Sequence, residues 1–353
     1  TRIMKKIESR EGQTYKLWQT TRLWSIDYLK EVYKDLDIKF KETFYESEVI
    51  ADGLKIVDQL FKKGILVKSD GAIIANLEKY NLGVLPIIRT DGTALYPVAD
   101  LSLAVKKFKE NKIDESIYIV DVRQGLYFKQ LFKILELMGY KQKITHLAYD
   151  FVTLPSGMMS SRSGNVITYR ELLDEAINHT ISETKAKRAD WSDKKIRQIA
   201  TEIALSTIKF EMLKVSSQKT ITFDIKEALK FEGYTATYLQ YTHARIMSIA
   251  KKGGNQKNKI DYSLLQEPTE KALIMKMAKY PEIVMRGAEN YDPSEITKYL
   301  FELCQAFNDY YHNVQIIKSE DAVKAARLEL TKAVGQIIKN GLELLGIKAI
   351  NEI

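Results

Sequence analysis

The stretch SIYIVDVRQGLYFKQLFKILELMGYKQKITHLAYDFVTL, residues 116–154, decides the fold of this 353-residue chain. It begins with a β-rich segment at 116–122, continues with an amphipathic helix at 126–140 that Gly139 ends, and closes with a second strand-like segment at 144–154. Strand, helix and strand at this spacing predict two parallel strands joined by a crossover helix. Ligands of such sheets bind at the carboxyl ends of the strands, so we expect functional residues directly after these segments.

The same alternation extends towards the amino terminus. The segment GVLPII at 83–88 is predicted as a further strand of the parallel sheet, closed by a turn at 90–92. Pro97 suits the first position of the next helix. The apolar residues that share one face of this helix are Val98, Leu101, Val105 and Phe108. After residue 168, Pro and Gly become scarce and helical periodicity dominates, interrupted by a basic segment at 251–259 that is predicted as a solvent loop.

The composition indicates a globular protein with a basic surface. The chain is 45% hydrophobic and has a formal charge of +8, and it is long enough for two domains with separate cores. Clustered Lys and Arg favour a polyanionic partner such as nucleic acid. Lysines that only solvate helix faces give the same charge balance, so both interpretations stay open.

Cysteine and histidine usage excludes several kinds of site. Cys304 is the only cysteine, which excludes an internal disulfide and a cysteine-based zinc site and fits a reducing cytoplasm. The four histidines are scattered without metal-ligand spacing, so no metal site is expected. No apolar run has the length of a membrane span, and the charged start of the chain is unlike a signal peptide.

A turn rich in hydroxyls follows the segment at 144–154. It reads LPSGMMSSRSGN, residues 154–165. Small residues, hydroxyls and Arg162 suit a loop that wraps a triphosphate, because a guanidinium and backbone amides can meet phosphate oxygens. A serine-rich connector has the same composition. The position at the carboxyl end of a predicted strand is what favours the phosphate loop.

Three polar side chains are predicted at the same edge of the sheet. Tyr96 and Asp100 are one helical turn apart, and Gln124 starts the helix that follows the next strand. A carboxylate, a phenol and an amide together suit a planar cation with several donors, such as a guanidinium. The alternative for Asp100 is a favourable interaction with the dipole at the start of its helix.

Aromatic residues and an arginine repeat with helical spacing in the last third of the chain. Tyr238, Tyr241 and Arg245 lie at i, i+3 and i+7, and Phe307 and Tyr311 lie at i and i+4. Rings and a cation on one helix face would bind unpaired bases by stacking. Aromatic residues at this spacing also commonly form the core of a helical bundle.

Four motifs, in the right order along nearly the whole chain, resemble those of the arginyl-tRNA synthetases. They are RTDGTALYPVADLSLAVKKF (89–108), IYIVDVRQGLYFKQLF (117–132), THLAYDFVTLPSGMMSSRSGNVIT (145–168) and FEGYTATYLQYTHARI (231–246). The third is similar to the second signature loop of class I synthetases, and residues 326–353 resemble the family's carboxyl terminus. The resemblance implies a partial Rossmann-like parallel α/β sheet followed by an all-α helical-bundle anticodon-binding domain. The implied domains are the second part of the catalytic domain with its connecting helices at 1–228 and the anticodon-binding domain at 229–353.

The resemblance also implies an activity and its sites. The family's enzymes activate L-arginine with ATP and Mg²⁺ to arginyl-adenylate and transfer it to tRNA(Arg). The implied arginine-binding residues are Tyr96, Asp100 and Gln124. The implied ATP-binding residues are His146, Met158, Met159, Ser160, Ser161 and Arg162, of which Ser160, Ser161 and Arg162 are also the implied catalytic residues of a KMSKS-like loop at 158–162. The implied tRNA-binding residues are Tyr238, Tyr241, Arg245, Phe307, Tyr311 and Ile353.

The sequence departs from the family's pattern at the phosphate loop. Met158 stands where the family usually has lysine, Ser163 stands where it often has another basic residue, and the His-x-Gly-His signature does not occur in this sequence. Those histidines stabilise the phosphate in the transition state, so we expect this chain alone not to activate arginine and Thr1 to mark a cut. The alternative is a non-catalytic tRNA-binding protein derived from a synthetase. The resemblance favours a cytoplasmic monomer that does not bind membranes.

Overall fold

The structure is a computed structural model of the chain, and it describes residues 3, 6–7, 10–159, 166–230, 232–254 and 260–353. Its α-helices are α1 (Gly12–Asp35), α2 (Glu46–Lys62), α3 (Tyr96–Glu110), α4 (Gly125–Leu137), α5 (Tyr169–Lys187), α6 (Asp193–Leu213), α7 (Ile225–Ala228), α8 (Ala236–Gly253), α9 (Pro268–Ala278), α10 (Tyr280–Glu289), α11 (Ser294–Asn313) and α12 (Asp321–Leu344). Its strands are β1 (Val67–Ser69), β2 (Ala72–Asn76), β3 (Val84–Ile88), β4 (Glu115–Asp121), β5 (Lys143–Tyr149), β6 (Val152–Thr153) and β7 (Ile221–Thr222).

The chain divides into two compact units. The strand unit consists of Phe40–Phe151 and Ser217–Lys219. The helical unit consists of Thr1–Lys39, Val152–Ser216 and Thr220–Ile353. Each unit has buried hydrophobic clusters of its own, as expected for a chain of this length.

In the strand unit, β4 and β5 form the predicted parallel pair. The register runs from Glu115 opposite Lys143 to Asp121 opposite Tyr149, and α4 forms the crossover between the two strands. Gly139 follows α4 with a φ of +93°, a left-handed backbone conformation that commonly ends helices and that residues other than glycine rarely adopt. The predicted strand, helix and strand are therefore confirmed.

The segment at 83–88 does not join this parallel pair within the described ranges. It forms β3, which pairs antiparallel with β2, and β2 pairs antiparallel with β1. Burial alternates along β3, with Leu85 and Ile87 buried and Val84 and Pro86 exposed. Such alternation is typical of an antiparallel sheet with one solvated face. The predicted parallel pairing of this segment is wrong. All residues of β3 are apolar, so the sequence does not show that burial alternates along the strand.

A two-residue turn joins β1 to β2. Asp70 and Gly71 both have positive φ, 48° and 83° respectively. Asp-Gly is a favoured pair in such turns because glycine and aspartate tolerate positive φ better than most residues, and the resulting twist matches that of the flanking strands. This turn creates the hairpin against which β3 pairs.

The predicted strand at 144–154 is divided in two. β5 ends at Tyr149, and β6 pairs in parallel with β7 in the helical unit. Beyond β5, the N–H of Asp150 donates to the carbonyl of Ser217 at 2.8 Å, and the Ser217 hydroxyl donates to the carbonyl of Ala148 at 2.8 Å. The segment 217–219 thus takes over the hydrogen bonds at the end of β5, and β5 does not extend into β6.

The packing of α2 on α3 orients the start of α3. Val98, Leu101 and Phe108 are buried as predicted, and Val105 is half-buried. An added Cβ on Gly53 of α2 would lie only 2.2 Å from the carbonyl oxygen of Val98. A side chain has no room at this position, so Gly53 permits the close approach that fixes the first turn of α3.

Helices dominate the helical unit, as the periodicity after residue 168 predicted. α5 begins with a capping box formed by Thr168 and Glu171, which satisfies backbone donors at its first turn. α8, α11 and α12 bury a common core that includes Leu239, Leu300 and Ile338. The predicted basic loop starts later than expected, since α8 continues to Gly253, and residues 255–259 lie outside the described residues.

The described residues give no sign of a membrane span, a metal site or a reactive thiol. No helix described there is long and apolar enough to cross a membrane. No group of three or more His, Cys, Asp or Glu side chains among those residues is arranged to hold a metal ion. Cys304 is buried, and burial raises the pKa of its thiol to about 12, which makes it unreactive.

Candidate functional sites

Two helix starts in the strand unit carry the residues predicted to bind arginine. Tyr96 is the first residue of α3 and is 73% exposed, and Asp100, one turn later, is half-buried. Gln124 is the N-cap of α4 and is exposed. α3 follows β3 and α4 follows β4, so both helix starts lie at the carboxyl ends of strands, where a ligand site was expected.

A fourth side chain, Tyr127, connects the two helices. Its hydroxyl donates a hydrogen bond to Oδ2 of Asp100, so α3 and α4 meet at this contact. Tyr127 lies three residues after Gln124 and therefore on the same face of α4. It was not among the predicted residues, although its spacing from Gln124 is a signal that could have found it.

Burial dominates the electrostatics around Asp100. It raises the pKa of this carboxyl, while the hydrogen bond from Tyr127 and the charge of Lys107 act in the opposite direction. Burial and the nearby carboxylate raise the pKa of Tyr127, so its phenol stays protonated and remains a donor. Burial lowers the pKa of Lys107, whose ammonium lies 4.1 Å from the Tyr118 ring centroid and 3.3 Å from Oγ of Ser116. The carboxylate thus lies near a cation that Tyr118 and Ser116 already hold.

An ion pair fixes the turn that presents Gln124. Nη2 of Arg123 lies 2.7 Å from Oδ2 of Asp121, and the N–H of Arg123 donates to the same carboxylate at 2.8 Å. The side-chain hydrogen bond from Arg123 lowers the pKa of Asp121 to about 2. The Arg123 guanidinium also lies 4.2 Å from the ring centroid of Phe151. These contacts order the end of β4 directly before α4.

The residues predicted to bind ATP divide between the two units. His146 lies on β5 in the strand unit, and its ring stacks on Phe128 with the centroids 5.2 Å apart. Met158 and Met159 follow β6 in the helical unit, and Met158 is 62% exposed. The predicted catalytic residues, which are also predicted to bind ATP, lie outside the described residues; they are Ser160, Ser161 and Arg162.

A tight turn leads from β6 towards the predicted phosphate loop. Leu154 and Gly157 exchange two backbone hydrogen bonds, of 3.0 and 2.8 Å. Gly157 has a φ of +113°, which residues with a side chain rarely adopt. The chain is therefore reversed directly before Met158, and a glycine is required for the reversal.

In the helical unit, predicted tRNA-binding residues of α8 and α11 come together. The guanidinium of Arg245 lies 4.9 Å from the ring centroid of Tyr241 and 5.2 Å from that of Tyr311. Its Nη1 donates to Oδ1 of Asn308 at 2.6 Å, and Nδ2 of Asn308 donates to the hydroxyl of Tyr238 at 2.8 Å. We call Tyr241, Arg245 and Tyr311 the aromatic–arginine cluster. Its rings are 41% and 40% exposed, which suits stacking with unpaired bases.

A groove of 920 Å³ lies beside this cluster. Its lining includes the whole cluster together with Arg188, Trp191, Lys252 and Ile353. Nε of Arg188 donates to the backbone carbonyl of Ile353 at 3.1 Å, so this predicted residue is held at the groove. Cations and aromatic rings in one lining suit an anionic strand with unpaired bases.

The tail, residues 345–353, is attached to α8 by polar contacts. Nε2 of Gln240 donates to the carbonyl of Lys348 at 2.9 Å, and Nδ1 of His243 lies 2.9 Å from the carbonyl oxygen of Ile350. Burial lowers the pKa of His243, whereas the hydrogen bond to Ile350 acts in the opposite direction. The tail is therefore fixed along its length although it forms no helix or strand.

Phe307 lies in the core and not on the surface of the groove. Its side chain has no exposed area, and its ring is stacked with that of Tyr311 at a centroid distance of 6.4 Å. A fully buried ring has no face that a base can contact, so the predicted direct contact of Phe307 with tRNA does not fit the structure. Phe307 instead packs against the ring of Tyr311 from the core side.

The chain matches two family models. Residues 1–225 match the model described as "tRNA synthetases class I (R), catalytic domain", and residues 239–353 match the DALR anticodon binding domain. The first model covers more than half of the chain. The second covers most of α8 and all of α9 to α12, and thus includes the aromatic–arginine cluster.

Known proteins similar to this chain agree with the family models. The arginine–tRNA ligase of Bdellovibrio bacteriovorus is 40% identical over 99% of this chain. The arginyl-tRNA synthetase structure from Thermus thermophilus has a TM-score of 0.79 at 26% identity over 91% of this chain. The Plasmodium falciparum arginyl-tRNA synthetase structure has a TM-score of 0.83 at 20% identity over 99% of the chain, which shows the shared fold. The chain spans 61% of the length of each of these proteins. The partial parallel sheet, the helical anticodon-binding region and the matched catalytic-domain model together show that the chain belongs to the class I arginyl-tRNA synthetases.

Proposed function

We propose that this chain contributes arginine binding, the ATP loop and anticodon recognition to an arginine–tRNA ligase. The observation that carries the proposal is the aromatic–arginine cluster, in which Arg245 lies over both Tyr241 and Tyr311 beside the groove. Two partly exposed rings with a cation suit the unpaired bases of an anticodon loop. The cluster lies in the region that matches the DALR anticodon binding model.

The proposed reaction has two steps. The carboxylate of L-arginine attacks the α-phosphate of ATP, which forms arginyl-adenylate and releases pyrophosphate. A hydroxyl of the terminal adenosine of tRNA(Arg) then attacks the acyl carbon, and AMP leaves. Mg²⁺ bound to ATP would neutralise part of the phosphate charge. The protein mainly positions the reactants and stabilises charge on the phosphate.

Asp100 is proposed to bind the guanidinium of arginine. Its half-buried carboxylate can form charge-assisted hydrogen bonds with a planar donor. Tyr96, exposed at the start of α3, and Gln124, exposed at the start of α4, add a phenol and an amide to the same site. The half-buried position of the carboxylate strengthens its attraction for a cation that enters the site.

His146 and the loop at 158–162 are each proposed to bind ATP. Met158 and Met159 would lead into this loop, and Ser160, Ser161 and Arg162 would contact the phosphates. Arg162 would supply the cation of the loop, since Met158 has no charge. These assignments rest on the resemblance of residues 145–168 to the second class I signature.

The remaining assignments concern domains, partners and location. We propose residues 1–228 as the second part of the catalytic domain and 229–353 as the anticodon-binding domain. Tyr238, Tyr241, Arg245, Tyr311 and Ile353 are proposed to meet tRNA(Arg), with Phe307 as a buried support. We also propose that the protein is a cytoplasmic monomer.

A tRNA-binding protein without catalysis is the second candidate. One observation favours it: the exposed side chain of Met158 carries an uncharged thioether where the resemblance implies a lysine. A thioether cannot stabilise the charge that develops on the phosphate. This candidate keeps the groove of the helical unit but assigns no reaction to the chain.

The deciding experiment is arginine charging of tRNA(Arg) by this chain, alone and mixed with the amino-terminal half of the Bdellovibrio bacteriovorus ligase. Charging in the mixture, with arginine but not with lysine, supports the ligase. Binding of tRNA(Arg) without charging in either sample supports the binding protein. Failure of the chain to bind tRNA(Arg) contradicts both candidates.

A further inference from the structure

The contact between Tyr127 and Asp100 joins two helices whose first turns carry the proposed arginine site. We propose that Tyr127 is a positioning residue for arginine, because its hydroxyl fixes the Asp100 carboxylate in the orientation that receives a guanidinium. The proposal rests on the proposed function, in which Asp100 binds arginine. It adds a residue to the three that the resemblance implied.

The contact brings two pairs of side chains to one place. Tyr96 and Asp100 are separated by one turn of α3, and Gln124 and Tyr127 are separated by one turn around the start of α4. Since Tyr127 donates to Oδ2 of Asp100, the plane of the carboxylate is set by a residue on the neighbouring helix. The direction of the other oxygen, Oδ1, is set by the same bond.

The donor itself is held in place. The ring of Tyr127 meets that of Phe128 edge to face, with the centroids 5.0 Å apart and the planes at 80°. Phe128 is buried and stacks in turn on His146. A donor with a fixed position holds its acceptor in a fixed position, so less order is lost when a ligand binds the carboxylate.

The titratable groups coupled to Asp100 come from three elements. Lys107 lies further along α3, Tyr118 lies on β4 and Tyr127 lies on α4. The ammonium of Lys107 is held at the Tyr118 ring and at Ser116, and its charge acts on the Asp100 carboxylate. Tyr127 contacts the same carboxylate directly. Burial favours the protonated carboxyl, and the hydrogen bond from Tyr127 favours the carboxylate. Tyr127 therefore orients Asp100 and also opposes the effect of burial on its pKa.

An oriented carboxylate is suited to a guanidinium in particular. Arginine presents planar donors whose geometry matches the two oxygens of a carboxylate, whereas lysine presents a compact ammonium without this geometry. Loss of the Tyr127 hydroxyl should therefore weaken the binding of arginine more than the binding of ATP. The net free energy of a hydrogen bond to a charged group corresponds to at least about a tenfold change in affinity.

The first test measures Asp100 itself in the isolated chain. The carboxyl carbon of Asp100 is followed by NMR in aspartate-labelled protein during a pH titration, and the signal is assigned by its loss in Asp100→Asn. Tyr127→Phe removes the hydroxyl but retains the ring, so the midpoint of Asp100 should move to higher pH. Tyr140→Phe is the matched control, because the ring of Tyr140 packs on Phe108, which lies about two turns beyond Asp100 on α3. An unchanged midpoint in Tyr127→Phe overturns the proposal.

The second test measures arginine use in the mixture with the amino-terminal half. Tyr127→Phe should raise the KM for arginine about tenfold or more and leave the KM for ATP unchanged. As the pH is lowered, the KM for arginine should begin to rise earlier, at a higher pH, in Tyr127→Phe than in the parent. Tyr140→Phe should match the parent. An arginine KM equal to that of the parent overturns the role of Tyr127.

The two tests separate this proposal from the proposed function. A shifted Asp100 midpoint in the isolated chain, combined with a mixture that never charges arginine, contradicts the ligase and with it any role in arginine binding. Charging by the parent with an unchanged Tyr127→Phe variant contradicts only the role of Tyr127. A loss of both arginine and ATP use in Tyr127→Phe, but not in Tyr140→Phe, means general disruption of the site and also contradicts it.

Discussion

Helices α3 and α8 each carry a tyrosine that is followed four residues later by a charged residue, yet the two pairs make different contacts. On α8, the guanidinium of Arg245 lies 4.9 Å from the ring of Tyr241 on the same helix. On α3, Asp100 accepts a hydrogen bond from Tyr127 on another helix, and Tyr96 is 73% exposed. A cation is attracted to the negative face of a ring, whereas a carboxylate is repelled by it and needs a hydrogen-bond donor.

The difference shows what a sequence spacing determines. An i, i+4 spacing places two side chains on one face of a helix, and the sign of the charge then selects the kind of partner. A site built on a carboxylate therefore depends on contacts between helices, whereas a ring–cation site is partly formed within one helix. Four measurements test this comparison, from the largest expected effect to the smallest.

Replacement of Phe307 should have the largest effect, because this ring supports the cluster from inside the core. Phe307→Ala removes a fully buried ring and should lower the free energy of unfolding by about 3–5 kcal/mol. The measurement is urea unfolding followed by helical circular dichroism. Tyr311→Ala on the same helix is the control, since Tyr311 is 40% exposed and should cost less. An equal loss in both variants would contradict the division into support and surface.

Asp100→Ala should strongly reduce arginine use in the mixture that charges tRNA. The variant leaves the guanidinium without its charged partner, and kcat/KM for arginine should fall by an amount equivalent to about 2–5 kcal/mol. Binding of tRNA(Arg) by the helical unit should not change. Asp58→Ala is the control, because Asp58 on α2 forms an exposed ion pair with Lys62. Unchanged arginine kinetics in Asp100→Ala would remove Asp100 from the site.

Tyr241→Ala should weaken binding of tRNA(Arg) without changing ATP use. Stacking of a base on an aromatic side chain contributes roughly 1–3 kcal/mol, and the variant also removes a ring from beneath Arg245. Fluorescence anisotropy with labelled tRNA measures the effect. Tyr262→Ala is the matched control, since Tyr262 is exposed in the same unit and does not line the groove. Equal weakening by both variants would mean that the cluster does not bind the anticodon.

The smallest effect concerns His243, which attaches the tail to α8. Burial lowers its pKa from the ordinary value of 6.5, so the unfolded chain binds a proton more readily than the folded one. The stability that this difference contributes is complete above pH 6.5 and is lost as the pH falls through the lowered pKa of the folded state. The urea midpoint should therefore fall more steeply below pH 6.5 in the parent than in His243→Gln. Parallel pH profiles would contradict this role.

Local patterns in the sequence predicted much of the fold. The spacing of Val98, Leu101 and Phe108 identified the buried face of α3, and Gly139 marked the end of α4, because both features depend only on neighbouring residues. The hairpin before β3 could also have been predicted, since Asp70-Gly71 is a favoured turn pair. β3 pairs with the second strand of this hairpin, which places it in the antiparallel sheet and not beside β4 and β5.

The sequence was less informative about contacts between distant residues. Tyr127 and Asp100 are 27 residues apart, and no periodicity links a helix to the partner it meets in space. The same holds for Arg245 and Tyr311, which belong to different helices. Phe307 and Tyr311 have the spacing of a stacking pair, but the orientation of α11 buries Phe307 and leaves Tyr311 partly exposed. Spacing in the sequence predicts which residues share a helix face, whereas packing determines how deeply each of them is buried.

The position of the tail has a practical consequence for the purification of this protein. The carbonyl of Ile353 is bound by Arg188, and Ile353 lines the groove together with Lys252. An affinity tag fused after Ile353 would therefore start inside the groove. A tag rich in aspartate would be attracted to Arg188 and Lys252 and would compete with RNA for the same surface. Binding assays on this chain are best performed after any such tag has been cleaved.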